Sequence, residues 1–143
     1  MAVQKLSTAC LLLIAIVSLV ASSRVAQAEE GKTLILFGAS WCAPCIGELR
    51  ELVALSDALP KGRIIVAWTD GGLGKLHIER PANVELANAE RSSALAARFA
   101  GDIAGLPHSV MLDGRDRICA RWRRPLTPDG VRGMLRECAA ASR

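Results

Sequence analysis

Apolar positions fall along the chain in short continuous runs that alternate with stripes at helical spacing. Thr33-Leu34-Ile35-Leu36-Phe37 is too short and too uniformly apolar for a helix, so it reads as a buried strand. Ile46, Leu49, Leu52, Val53, Leu55 and Leu59 then recur on one side of a helix. Pro44 falls in its first turn, where a missing N–H costs nothing, and Pro60 and Gly62 stop it. Arg63 to Trp68 is a second apolar run and a second strand. The Gly-rich stretch from Asp70 to Pro81 is a connector. Ala89 to Ala100 is a helix with Leu95, Ala96 and Phe99 on one side and Gly101 as its stop. Ser109 to Leu112 and Arg117 to Trp122 are strands joined by the turn Asp113-Gly114-Arg115-Asp116. Thr127 caps a last helix with Pro128 at its first position and Val131, Met134, Leu135 and Cys138 on its apolar stripe. The order β-α-β-α-β-β-α predicts an α/β domain: strands parted by helices imply parallel pairing, and the short turn implies an antiparallel hairpin.

The first 28 residues do not fit this alternation. Lys5, an apolar stretch from Cys10 to Ala21 and the ending Ala26-Gln27-Ala28 have the form of a secretory signal peptide, predicting cleavage after Ala28. The alternative is an uncleaved anchor, since Leu6 to Ser23 approaches the length needed to span a bilayer. Residues 29–143 then form a single small domain. Lys5 and Arg24 are the only charges in the leader, so its removal lowers the net charge from +4 to +2. That is too little to suggest nucleic acid. The one basic cluster, Arg121-Trp122-Arg123-Arg124, reads as a solvated edge. Gly71-Gly72-Leu73-Gly74-Lys75 lacks the spacing and the Ser or Thr of a phosphate-binding loop.

Of five cysteines, Cys42, Cys45, Cys119 and Cys138 survive cleavage, in a compartment where disulfides persist. The spacing of Cys42 and Cys45 favours pairing them with each other, which leaves Cys119 with Cys138. Cys138 lies on the apolar stripe, whereas Cys119 shares strand parity with Arg117 and Arg121, which turns it toward a less buried side. Two unpaired thiols are the alternative there; export favours the bridge. Cys42 and Cys45 sit where a strand hands over to the positive end of a helix. Backbone N–H groups there stabilise a thiolate, the form that attacks disulfides. Thiol–disulfide exchange is therefore the leading chemistry, with a structural disulfide or half of a zinc site as the bland alternative.

Trp41-Cys42-Ala43-Pro44-Cys45 followed by Glu48, then Gly105-Leu106-Pro107, then Val110-Met111-Leu112-Asp113-Gly114 with Arg117-Ile118, resembles the thioredoxin superfamily, and more narrowly its exported TlpA-like and ResA-like branch. The resemblance runs from Gly31 to Ala140. It implies a thioredoxin-like three-layer sandwich: a mostly parallel central sheet with a C-terminal antiparallel hairpin, and helices on both faces. It implies that Cys42 attacks a partner's disulfide, that Cys45 resolves the mixed disulfide, and that Glu48 serves as proton relay or as an exposed helix charge. Trp41, Leu106 and Pro107, with Pro107 cis, would meet the incoming peptide. His108 beside that site could favour the thiolate or contact the partner, incidental surface placement being the plainer reading, and His77 has no role. Leu36 stands where thioredoxins bury an acidic residue, which leaves the proton to Glu48 or water. No organic cofactor and no metal is implied, because the two sulfurs carry both electrons. The implied partners are exported protein disulfides or dithiols, such as apocytochrome or copper-site cysteines, with a membrane thiol carrier as electron donor and a periplasmic or otherwise exported location. The competing class is a copper carrier using the same two thiolates, which suit Cu(I).

Overall fold

The computed structural model describes residues 31–101 and 105–142; the expected leader lies outside them. Five strands form one sheet in the order β3-β2-β1-β4-β5, with β1 Thr33–Gly38, β2 Arg63–Trp68, β3 Val84–Leu86, β4 His108–Leu112 and β5 Ile118–Trp122. The helices are α1 Ala43–Arg50, α2 Leu52–Asp57, α3 Ala89–Leu95 and α4 Pro128–Ala141. The architecture is the expected sandwich. One face of the sheet (Leu34, Leu36, Ile64, Val66, Met111) packs on Leu49, Leu52, Leu55, Val131 and Met134 from α1, α2 and α4. The other (Ile35, Phe37, Ile65, Ala67, Val110, Leu112) packs on Phe99 and Leu95. Successive side chains of a strand point to opposite faces, so a strand covered on both sides must be apolar throughout. That is why the central strands read as unbroken apolar runs.

The parallel share of the sheet is smaller than the sequence reading expects. β1 pairs parallel with β2 and β2 with β3, but β4 runs antiparallel to β1 with Phe37 opposite His108. The start of β4 therefore lies beside the end of β1, and the loop carrying Pro107 arrives next to the cysteines. β3, at the sheet edge, has no counterpart in the sequence reading. The expected single helix after the cysteines is two: at Glu51 the N–H bonds back to Glu48 O at 3.0 Å, a tighter turn than the α-helix, before Leu52 resumes. The second expected helix ends in a wider, π-type turn over Ala96–Ala100, and Gly101 stops it at φ +64.

In the β4–β5 hairpin, Asp113 Oδ1 accepts from the amides of Arg115 and Arg117, at 2.8 and 3.0 Å. The β4–β5 register slips between Met111 and Leu112, so β5 carries one extra residue, Cys119, between Ile118 and Ala120. The slip turns Cys119 off the strand's ordinary alternation and into the core beneath α4, where it is bridged to Cys138 with 4.7 Å between Cα atoms. Among the described residues no helix is long and apolar enough to cross a membrane.

Candidate active site

The end of β1 turns through Ala39, whose carbonyl accepts the Cys42 amide at 3.0 Å, and delivers Cys42 as the N-cap of α1. Cys42 is in extended conformation, and its sulfur accepts the Cys45 N–H at 3.3 Å. That N–H is one of the four a helix start leaves unpaired, so the turn that closes α1 also holds a donor against the first sulfur. Cys42 and Cys45 are bridged, with 5.3 Å between their Cα atoms. Both are nearly covered, Cys42 at 4% exposure and Cys45 at 1%, which leaves Cys42 the more accessible sulfur.

Glu48, one helical turn beyond Cys45, is 4% exposed rather than a surface charge. Its Oε1 accepts the amide of Leu126 at 2.6 Å. Burial pushes its carboxyl up to about 7, and the Leu126 N–H pulls in the opposite direction. A carboxyl poised near neutrality can give or take a proton at physiological pH, which an ordinary surface glutamate cannot.

Trp41 is 74% exposed and stands beside the disulfide. With Phe37, Thr69, Ala96, Ala100, Gly105 and Leu106 it lines a groove of about 370 Å³. The Leu106–Pro107 peptide bond is cis. Trp41 and Leu106 thus share one groove, and Pro107 is buried just behind it. His108 corrects the sequence reading: it is fully buried, not on the surface, with its ring stacked on Phe37 at 5.9 Å. Burial, then the charges of Arg121 and Arg123, hold its imidazole below the usual range, so it is neutral. Leu36 is buried opposite Ser109 of β4, with no acid beneath the cysteines at that position.

Sequence reasoning missed two supports of this site. Asp70 Oδ2 accepts both the amide of Ser40, at 2.8 Å, and its hydroxyl, while Oδ1 accepts the Gly72 amide at 3.1 Å. These bonds, the Ser40 hydroxyl first, hold the Asp70 carboxyl below its usual value and fasten the residue before Trp41 to the end of β2. The second support is the Leu126 amide itself. The Asp following an apolar strand gave one weak cue to the first; a backbone donor has no sequence signature.

No family model matches the sequence, and no curated protein does. Solved structures do. StoA from Bacillus subtilis shares 21% identity over 73% of this chain and 83% of its own, with a TM-score of 0.53. The reduced N-terminal domain of PilB from N. meningitidis shares 17% over 74% and 79%, with a TM-score of 0.55. A thiol:disulfide interchange protein of the thioredoxin family from Chlorobium tepidum shares 19% over 79% and 83%, with a TM-score of 0.53. The chain has the thioredoxin fold.

Proposed function

We propose that this protein is a thiol–disulfide oxidoreductase that exchanges electrons with exported protein partners through Cys42 and Cys45, working as a reductant. One observation carries the reading: the two cysteines are bridged at the start of α1, with a helix N–H on the first sulfur and a groove beside them. In the reduced protein the Cys42 thiolate attacks one sulfur of the partner's disulfide. A mixed disulfide forms and the partner's other sulfur leaves as a thiolate. Cys45 then attacks Cys42 Sγ, the mixed bond breaks, and the partner departs as a dithiol while the Cys42–Cys45 bond closes. Two electrons pass to the partner. Glu48, buried one turn from Cys45, takes the proton that the Cys45 thiol must lose. A membrane thiol carrier would return the pair to the dithiol, and apocytochrome or copper-site cysteines are the partners the family resemblance favours. The groove between Trp41 and Leu106 would hold the partner's chain alongside Pro107 in strand-like fashion.

Export is part of the same proposal. The leader-like residues 1–28 support it, as does a second bridge, Cys119–Cys138, of the kind that persists in oxidising compartments. For the copper-carrier alternative, the reduced pair offers two sulfur ligands. Among the described residues no group of three or more His, Cys, Asp or Glu side chains is placed to complete a cage.

Insulin reduction coupled to a thiol donor tests the activity. Wild type should turn over, Cys42→Ser should be inactive, and Cys45→Ser should accumulate mixed disulfides. Full activity of Cys42→Ser would end the assignment, and tight one-to-one Cu(I) binding by a protein that reduces nothing would favour the carrier. The direction of flow is read from the reduction potential of the pair: near about −270 mV a reductant, near about −120 mV an oxidant.

A further inference from the structure

The basic cluster Arg121-Trp122-Arg123-Arg124 is not an anonymous solvated edge. The β4–β5 register sets Arg121 opposite Val110 and Trp122 opposite Ser109. β5 ends at Trp122, and the charge of the next residue, Arg123, acts on His108, the residue that follows Pro107. Val110 belongs to the sheet face that carries Phe37 and Phe99, so Arg121 lies on the groove's side of the sheet and Trp122 on the other. Arg121 Nη1 donates to Phe99 O at 3.2 Å, and the Arg98 guanidinium lies 4.7 Å from the centre of the Phe99 ring. Arg98, Arg121 and Arg123 therefore gather around Phe99 and His108. His108 in turn stacks on Phe37, a lining residue of the groove.

These charges are felt inside the protein, where Arg121 and Arg123 help to keep His108 neutral. They are also exposed to solvent, as is Arg98; Arg124, stacked 4.3 Å from the Trp122 ring, belongs to the opposite face with α4. Among the described residues the ion pairs are made by Arg91, Arg117 and Arg132, not by this group. Strands are spaced about 4.8 Å apart, so β5 lies about 10 Å from β1 and its Phe37. That is about one Debye length at 0.1 M ionic strength, so the cluster acts on whatever occupies the groove, most strongly at low salt. Among the described residues Asp70, which follows the groove-lining Thr69, is already engaged with Ser40.

We infer that Arg98, Arg121 and Arg123 form a docking surface beside the groove for partner proteins whose exchanging disulfide is flanked by acidic side chains. This rests on the exchange reading above and adds a substrate preference to it. A field of one sign beside a reacting groove speeds encounter with partners of opposite charge and disfavours basic ones. Ala96 and Ala100 line the groove and Arg98 lies between them on the same segment, so the charges border a cleft of a size for a peptide chain, which points to a protein segment as the occupant.

The test uses two synthetic peptide disulfides of one sequence, flanked by Asp and Glu in the first and by Asn and Gln in the second. Turnover by the reduced full-length protein is measured at low and at physiological ionic strength. The acidic peptide should show a KM lower by roughly tenfold at low salt, with similar kcat, and the advantage should shrink as salt rises. In Arg98→Gln/Arg123→Gln the KM for the acidic peptide should rise to that of the neutral one, and Arg98→Lys/Arg123→Lys should restore the difference. Arg121→Gln is a second variant, made separately because Arg121 also holds Phe99 O. Turnover of both peptides with equal KM, or an advantage that survives in Arg98→Gln/Arg123→Gln, would overturn the docking surface while leaving exchange intact. No turnover of either peptide would sink the exchange reading and the surface with it.

Discussion

The amide of Leu126 donates to Glu48 Oε1 at 2.6 Å across 78 residues of chain, and it ties the helix that carries Cys45 to the loop that launches α4. Glu48 is thereby fixed in a place where its charge is poorly solvated. Its proton is held up to about 7, against an ordinary value of 4.5. Between those two values the folded protein binds a proton that the unfolded chain has released. This group's contribution to stability is therefore complete below pH 4.5 and is lost as pH rises through about 7. The loss amounts to about 3 kcal/mol. Urea unfolding of wild type and Glu48→Gln at pH 5 and pH 8 checks this. The variant should gain on wild type between the two, and parallel behaviour would show that Glu48 is not held protonated by burial.

His108 shifts in the other direction. Its folded-state value lies below the ordinary 6.5, so as pH falls the unfolded chain takes up the proton first. Stability is unaffected above about 6.5 and declines below it until the folded value is reached. His108→Leu keeps the site apolar beside Phe37 and removes the titration. Relative to wild type, the variant should become progressively more stable from pH 6.5 toward pH 5. A constant difference across that range would place the imidazole in contact with water.

Much of this architecture is legible in the sequence because burial on both faces leaves a strand no room for polar positions. β1 and β2 show this plainly. Cys42, Cys45 and the proline loop are legible because their spacing is a local matter. What escapes is non-local. Val84-Glu85-Leu86 is too short to show a period, yet it pairs with β2. Strand parity misplaces Cys119 because a single bulge in β5 reverses it. His108 looks like a surface residue until β4 begins one residue earlier than its apolar run suggests and buries it. The Asp70 carboxylate reaches Ser40, 30 positions away, and the Glu48 carboxylate reaches Leu126, 78 positions away; in each the donor includes a backbone amide, which a residue of any type would supply.

The Asp70–Ser40 clamp should matter for partner binding more than for chemistry. Removing the carboxylate in Asp70→Ala frees the amide and hydroxyl of Ser40 and loosens the turn that presents Trp41. KM for a peptide disulfide should rise a few-fold, since the lost hydrogen bonds sit at an exposed site, with kcat little changed. A fall in kcat at constant KM would mean that Asp70 acts on the sulfurs instead.

The two bridges should separate on reduction. When Cys42–Cys45 opens, the Cys42 sulfur is already placed to accept the Cys45 N–H at the positive end of α1, which favours a thiolate. Cys138 is fully buried on α4, and opening its bridge would leave a thiolate in an apolar site. Asp113, which lines the cavity beside Cys119, is held down at about 2 by the Arg117 and Arg115 amides, so it is ionised and has no proton to give. Alkylation and mass measurement across a graded series of dithiol reductant should therefore reveal a species with two modified cysteines, at positions 42 and 45, well before one with four. Cys119→Ala/Cys138→Ala, which opens a loop with a sequence separation of 19, should lower stability by about 3 kcal/mol while Cys42–Cys45 still exchanges. If all four thiols appeared together, or Cys119 and Cys138 came first, the second bridge would be a redox partner of the first and not a staple of the fold.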